Sequence, residues 1–232
     1  MNRSQVNAII RDADEFIKQH HFYLPPFAHW TPDDWRSKGE EAREIADHGL
    51  GWDVTDFGKG DYEAFGLTLF TIRNGAPENL ISGRGKTYAE KLLIVSVDQV
   101  TPYHFHWQKT EDIINRGGGK LLLQLYQSTE DEKLDETAEF NVSLDGVIHT
   151  FSAGAIVTLH PGESITLPTG LYHKFWAEGE RVLCGEVSTV NDDHTDNCML
   201  DPIARFSEIE EDEPPLYLLV GDYEQYYQPI VK

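Results

Sequence analysis

The sequence is short of cysteine and of positive charge, and it has no long apolar run. Two cysteines in 232 residues, Cys184 and Cys198, are too few for a disulfide framework or a zinc ribbon, both of which need more thiols at set spacings. Lys and Arg number 19 against 40 Asp and Glu, a formal net charge of −21. Phosphate backbones and anionic lipid surfaces are bound by basic patches, so nucleic acid and membranes are poor partners and the acidity is read as solubility. No apolar stretch approaches the ~18 residues that a spanning helix needs. The opening stretch MNRSQVNAIIRDADEF lacks an apolar core of signal-peptide length. A cytoplasmic protein is therefore expected. Neither a solenoid repeat nor a linker rich in Gly, Ser or Pro divides the chain, and one domain over residues 1–232 is expected.

What is present is 40% hydrophobic and 25% charged, ordinary globular usage with enough apolar mass for a core. Over residues 4–20, Val6, Ile9, Ile10, Ala13, Phe16 and Ile17 recur at helical spacing behind Ser4 as N-cap. Leu24-Pro25-Pro26-Phe27 breaks that helix. Thr31 as cap and Pro32 at the first helical position predict a second helix ending near His48-Gly49. Residues 1–50 thus read as a helical extension. From Asp61 the pattern changes to short β-rich runs at 65–73, 91–97, 120–126, 139–144, 156–159, 164–167 and 181–187. Asn74-Gly75, Gly117-Gly118-Gly119, Asp145-Gly146, Pro161-Gly162 and Pro168-Thr169-Gly170 read as the turns between them. Many short strands at near-regular spacing predict an all-β barrel or sandwich over 61–190, with Asp145-Gly146 as the clearest two-residue hairpin. Residues 191–232 form a mixed C-terminal flank. Its acidic stretch, Glu208 to Glu213, is read as a solvated face.

Two segments carry chemistry. In His104-Phe105-His106, residues i and i+2 share a face of a strand, so both imidazoles point the same way. Glu111 follows five residues after His106 and can return to that face after a turn. Two nitrogens and one oxygen suit Mn²⁺, Fe²⁺, Ni²⁺ or Zn²⁺. The second segment, Gly162-x₅-Pro168-x-Gly170-x₂-His173, sets a histidine just after a tight turn joining two strands.

Together these segments resemble the paired motifs of the cupin superfamily. The resemblance implies a jelly-roll barrel in which His104, His106, Glu111 and His173 surround one metal. The glycine expected after the glutamate is present as Gly118, whereas Asp98 stands where a glycine usually precedes the first histidine by six residues. Further stretches are similar to the D-lyxose isomerase family: Leu50 to Thr55, Gly66 to Thr71, Tyr88-Ala89-Glu90-Lys91, Glu111 to Gly119, Pro168-x-Gly170-Leu171-Tyr172-His173, Gly185-Glu186-Val187-Ser188 and Val190-Asn191-Asp192-Asp193. This resemblance spans nearly the whole chain and is weakest over 128–150. It implies a Mn²⁺-dependent aldose–ketose isomerase, with Co²⁺ as an alternative ion, that interconverts D-lyxose with D-xylulose and D-mannose with D-fructose, and it implies a homodimer. An Fe²⁺ cupin oxygenase would use the same four ligands, and a non-catalytic sugar-binding cupin is the third reading.

An aldose–ketose isomerase moves hydrogen between C1 and C2 and a proton between O1 and O2. It needs a divalent ion to polarise the carbonyl and side chains to relay protons. Glu186 is the preferred base if alternation against Leu183 and Val187 turns it inward; an outward surface glutamate is the competing reading. Lys109, inside the first motif, either holds a sugar oxygen or sits exposed on a loop. Lys91 lies on an otherwise apolar strand and points either into a polar pocket or to the solvent end. Tyr88 and Trp176 are candidates to wall the sugar, with core packing as their commoner role. Arg205 and Asp212 are substrate candidates by resemblance alone. No basic cluster stands out for a phosphate, so a small neutral sugar is expected.

Overall fold

Val6, Ile10, Ala13 and Ile17 are fully buried along one side of α1 (Arg3–Gln19), in a computed structural model that describes residues 1–229. The valine and isoleucine side chains each contribute about 2 kcal/mol by leaving water, and the alanine methyl less than half of that. The helix starts two residues earlier than Ser4 would place it: Asn2 is the cap, and its backbone N–H donates to Gln5 Oε1 at 2.9 Å. Ser4 instead donates through its hydroxyl to Asp212 Oδ2 at 2.6 Å. The second helix is broken in two. Thr31 caps α2 (Pro32–Arg36) as expected, but the Ser37 hydroxyl bonds the Asp34 carbonyl and Gly39 is extended. The helical backbone resumes in a short 3₁₀ turn and α3 (Arg43–Asp47).

The barrel follows. β1 (Gly51–Thr55) and β2 (Leu67–Arg73) precede α4 (Pro77–Ser82), then come β3 (Tyr88–Val95), β4 (Thr101–Phe105), β5 (Glu111–Ser128) and β6 (Leu134–Asp135). β7 (Glu139–Leu144), β8 (Val147–Ser152), β9 (Ile156–Leu159), β10 (Ser164–Leu167), β11 (Leu171–Thr189) and β12 (Cys198–Met199) complete the strands, and α5 (Tyr223–Tyr226) lies in the C-terminal flank. All strand pairs are antiparallel, in the order β1-β2-β3-β11-β5-β10-β7-β8, with β4 on β11 and both β6 and β9 on β5. The β7–β8 hairpin turns at Asp145-Gly146, both at positive φ (49° and 85°), as a two-residue turn between twisted strands requires.

One prediction fails in an instructive way. Gly117-Gly118-Gly119 is not a turn but a bend within β5, which runs on against β11. A Cβ on Gly118 would lie 2.0 Å from the Arg181 carbonyl oxygen, and one on Gly119 would lie 2.3 Å from that of Glu180. Glycine is there because two backbones meet.

Two apolar clusters sandwich the sheet. Leu69, Leu93, Ile113, Leu123, Val157, Ile165, Phe175 and Val182 are among those filling the barrel. Trp52, Phe70, Leu92, Ile94 and Leu183 face the other way, against α1. The acids of the 208–213 stretch are exposed, as a solvated face requires, and three of them are also bonded to α1. Glu211 pairs with Arg3, Asp212 accepts from Ser4, and Glu213 accepts from Asn7, so the stretch straps the C-terminal flank onto α1. Among the described residues, no helix is long and apolar enough to cross a membrane.

Candidate active site

The two motifs meet where β4 pairs with β11, with His104 directly opposite His173 and their ring centroids 4.2 Å apart. The Gly170 N–H donates to the His106 carbonyl at 3.0 Å, binding the turn of the second motif to the first. Asp98 takes φ +58°, so the left-handed conformation that glycine usually serves is kept by aspartate, one of the few other residues that tolerates it. Glu111 opens β5 between Leu167 of β10 and Ser188 of β11.

Each imidazole is fixed by its Nδ1. His104 Nδ1 bonds the Pro102 carbonyl at 2.8 Å, His173 Nδ1 that of Leu171 at 3.0 Å, and His106 Nδ1 that of Asp196 at 2.6 Å. A carbonyl can only accept, so each Nδ1 carries the proton and each Nε2 presents a lone pair. The Nε2 atoms of His106 and His173 are buried and have no hydrogen-bond partner. Glu111 Oε1 lies 3.1 Å from His173 Nε2 and 3.6 Å from His106 Nε2. Buried polar atoms are rarely left unsatisfied. Orphaned lone pairs converging on a carboxylate are what a metal ion needs, and the three histidines offer ligand atoms within 4.8 Å of one another. Burial, with His173 and His106 nearby, holds the His104 imidazole well below its ordinary pKa, which keeps it neutral as a ligand.

Beside this group runs a chain of buried charges. Lys109 Nζ lies 2.6 Å from Glu111 Oε2 and 2.9 Å from Glu186 Oε1. Lys91 Nζ lies 3.7 Å from the same Glu186 oxygen, 3.5 Å from Asp193 Oδ2 and 2.7 Å from Asn191 Oδ1. Arg205 closes the row, its guanidinium 2.7 Å from Asp53 Oδ2 and 3.3 Å from Asp193 Oδ1. Burial pushes the Glu111 carboxyl up, but the Lys109 ammonium and His106 bring it well below the usual carboxylate range. Burial opposes the charge of Lys109, yet Glu111, Glu186 and Asp193 together raise it above an ordinary lysine. The water-accessible space left in the cleft is about 40 Å³. Phe57, Leu93, Phe175 and Met199 form its apolar wall.

Lys91, Lys109, Glu186 and Arg205 therefore line one cleft with His104, His106 and Glu111, His173 lies behind it against Glu111, and the Glu186 side chain faces inward. Tyr88, Trp176 and Asp212 do not reach it. Tyr88 alternates with the inward Ala89 and Lys91 and is 47% exposed. Trp176 lies between inward Phe175 and Ala177, facing out under the Lys174 ammonium. Asp212 sits on α1, bonded to Ser4. Sequence reasoning gave no role to Asp53, Asp193 or Asp196. The polar run Asn191-Asp192-Asp193 directly after a strand was the available signal.

A sequence profile described as D-lyxose isomerase matches residues 1–223. The chain is 49% identical over 227 residues to a D-lyxose/D-mannose isomerase of Serratia proteamaculans, covering 96% of this chain and 98% of that one. It is 47% identical over 229 residues to the protein of that name in Escherichia coli O157:H7, covering 97% and 100%. Among solved structures, the L-ribose isomerase of Acinetobacter sp. DL28, as a mutant bound to L-ribose, superposes with a TM-score of 0.60 at 16% identity over 90% of this chain and 98% of that one. The Cellulomonas parahominis L-ribose isomerase with L-psicose gives 0.59 at 15% identity over the same shares. At such identities these two speak to the fold alone.

Proposed function

Since the chain belongs to the D-lyxose isomerase family, and is thereby an aldose–ketose isomerase, we propose that it interconverts D-lyxose with D-xylulose, and D-mannose with D-fructose, on a bound Mn²⁺ ion. The observation that carries this reading is the pair of orphaned imidazole nitrogens beside Glu111, in the same cleft as Glu186 and two lysines. His104, His106, Glu111 and His173 hold the ion, a nitrogen-and-oxygen set suited to Mn²⁺. When bound, it supplies Lewis acidity toward the sugar's carbonyl and hydroxyl oxygens.

The protein's own groups do the rest. Both lysine contacts to Glu186 fall on Oε1, so Oε2 is the oxygen we assign to proton transfer between C2 and C1. Lys109, held between Glu111 and Glu186, donates to the sugar oxygen at the reacting end and returns the proton that shifts between O1 and O2. Arg205 and Asp193 offer a donor and an acceptor to the remaining hydroxyls, while Phe57 and Phe175 pack on the carbon skeleton. Among the described residues, each cation of the cleft already lies beside carboxylates: Lys109 beside Glu111 and Glu186, Lys91 beside Glu186 and Asp193, and Arg205 beside Asp53 and Asp193. No cation is left for a phosphate, which supports a neutral sugar. We also propose a cytoplasmic homodimer. Two buried, unpaired thiols fit a reducing compartment. The free edge of the sheet at β8, with Val147 and Ile148 exposed, is a surface a partner copy would cover.

The test is an anaerobic assay of metal-stripped protein given Mn²⁺, following D-lyxose to D-xylulose, beside His106→Ala. Conversion that needs the metal and vanishes in the variant is expected. Tight Mn²⁺ binding with no conversion of lyxose or mannose would overturn the reading.

A further inference from the structure

The three imidazoles are not held alike. His104 and His173 bond carbonyls two residues back on their own strands, Pro102 and Leu171, so β4 and β11 orient them as soon as they form. His106 lies beyond the end of β4, and its Nδ1 depends on the carbonyl of Asp196, ninety residues further along the chain. The side chain of that same residue reaches back to the same motif. Asp196 Oδ1 accepts the Gln108 N–H and Oδ2 accepts the Lys109 N–H, both at 2.9 Å. It is 4% exposed, and a carboxylate is stable at that depth only when hydrogen bonds replace water.

Taking the metal reading above as given, we propose that Asp196 is the positioning residue of the first motif. Its carbonyl fixes the tautomer of His106, and its carboxylate clamps the loop that carries Lys109 and delivers Glu111. It touches neither the ion nor the sugar. It acts by making one ligand and one lysine conditional on the 191–196 segment, which also brings Asn191 to Lys91 and Lys109, and Asp193 to Lys91 and Arg205. Metal affinity and the sugar-facing side of the cleft are thereby set by one loop.

The experiment measures Mn²⁺ dissociation constants of metal-free protein by calorimetry for the parent, Asp196→Ala, Asp196→Asn and Thr195→Ala. Outer partners of metal ligands are worth about 10–100-fold in affinity; Asp196→Ala keeps the backbone carbonyl on His106 and removes only the clamp on Gln108 and Lys109, so a loss at the lower end, about tenfold, is expected. Asp196→Asn keeps one acceptor oxygen and falls between the two. Thr195→Ala, whose hydroxyl turns away to Asp192, stays at the parent value and shows that disturbing the loop is not enough. Nitrogen-15 NMR of the metal-free parent reads the same contacts without mutation: His106 is protonated on Nδ1, and the Gln108 and Lys109 amides exchange slowly. An Asp196→Ala affinity within twofold of the parent overturns the proposal. Should that variant not fold, fast exchange at both amides does so. A parent that binds no Mn²⁺ overturns the metal reading itself, a failure seen before any variant is compared.

Discussion

Two of the places where the molecule buries charge differ in what they leave over. At the outer end of α1, the Arg3 side chain is 1% exposed and forked between two carboxylates, Nε and Nη2 on Glu211 and Nη1 and Nη2 on Asp222, at 2.5–3.0 Å. All three guanidinium nitrogens are engaged and the acids come from the C-terminal flank. In the barrel, Lys91, Lys109, Glu111 and Glu186 are as deeply buried and as closely paired. There, however, two imidazole nitrogens remain unsatisfied and a cleft opens beside them. Buried ion pairs serve structure as readily as chemistry. What separates the candidate site from the strap is the lone pair without a donor.

The comparison breaks if the two clusters respond alike to mutation. Glu186→Gln should give the largest effect, lowering kcat about 10²–10⁴-fold while Mn²⁺ still binds; a kcat within threefold of the parent would remove Glu186 from the chemistry. Arg3→Ala should do the reverse, costing about 2 kcal/mol in urea unfolding, since Glu211 is half exposed and rehydrates, and leaving kcat per folded molecule unchanged.

A subtler contrast lies in acid. Burial raises the Asp14 carboxyl, but hydrogen bonds from Lys18 and His29 outweigh it, and its pKa lies below the ordinary value. A carboxylate depressed in the folded state stabilises above its unfolded pKa, and that gain disappears as pH falls through the folded one. The stability deficit of Asp14→Asn should thus be full at neutral pH and shrink below about pH 4, as read from unfolding curves across pH. Smallest of all, Tyr88→Ala and Trp176→Ala should leave kcat/KM within about twofold; a tenfold loss in either would return that residue to the sugar's path.

The grouping of the candidate ligands was legible because spacing on a strand and a turn before His173 are local facts. Short strands bounded by turns, such as β7, β9 and β10, were legible for the same reason. The long strands were not. Along β11, His173, Phe175 and Ala177 face inward, yet so do Val182, Cys184 and Glu186. A register shift between Glu178 and Val182 changes the parity, as a bulge does. Counting alternation from His173 would have sent Glu186 outward; only its near neighbours Leu183 and Val187 gave the right face. For Trp176 the same count from His173 was correct, and the affinity of aromatic rings for sugars misled. Asp196 was out of reach because its bonds exist only once a loop folds back over the first motif, and no periodicity records that; for Asp193 the polar run after β11 was the one trace.

The strap between α1 and the flank also bears on the order in which the protein can be assembled. Arg3 and Asn7 hold residues 210–216 through backbone and side-chain bonds. On a ribosome adding about 5–20 residues per second, those partners emerge roughly 10–40 s after the helix itself. The barrel strands can pair during that interval, but α1 waits for the flank before its polar contacts exist. Its apolar stripe stays without that clasp for most of synthesis, a window in which a chaperone or a second nascent chain has access to it.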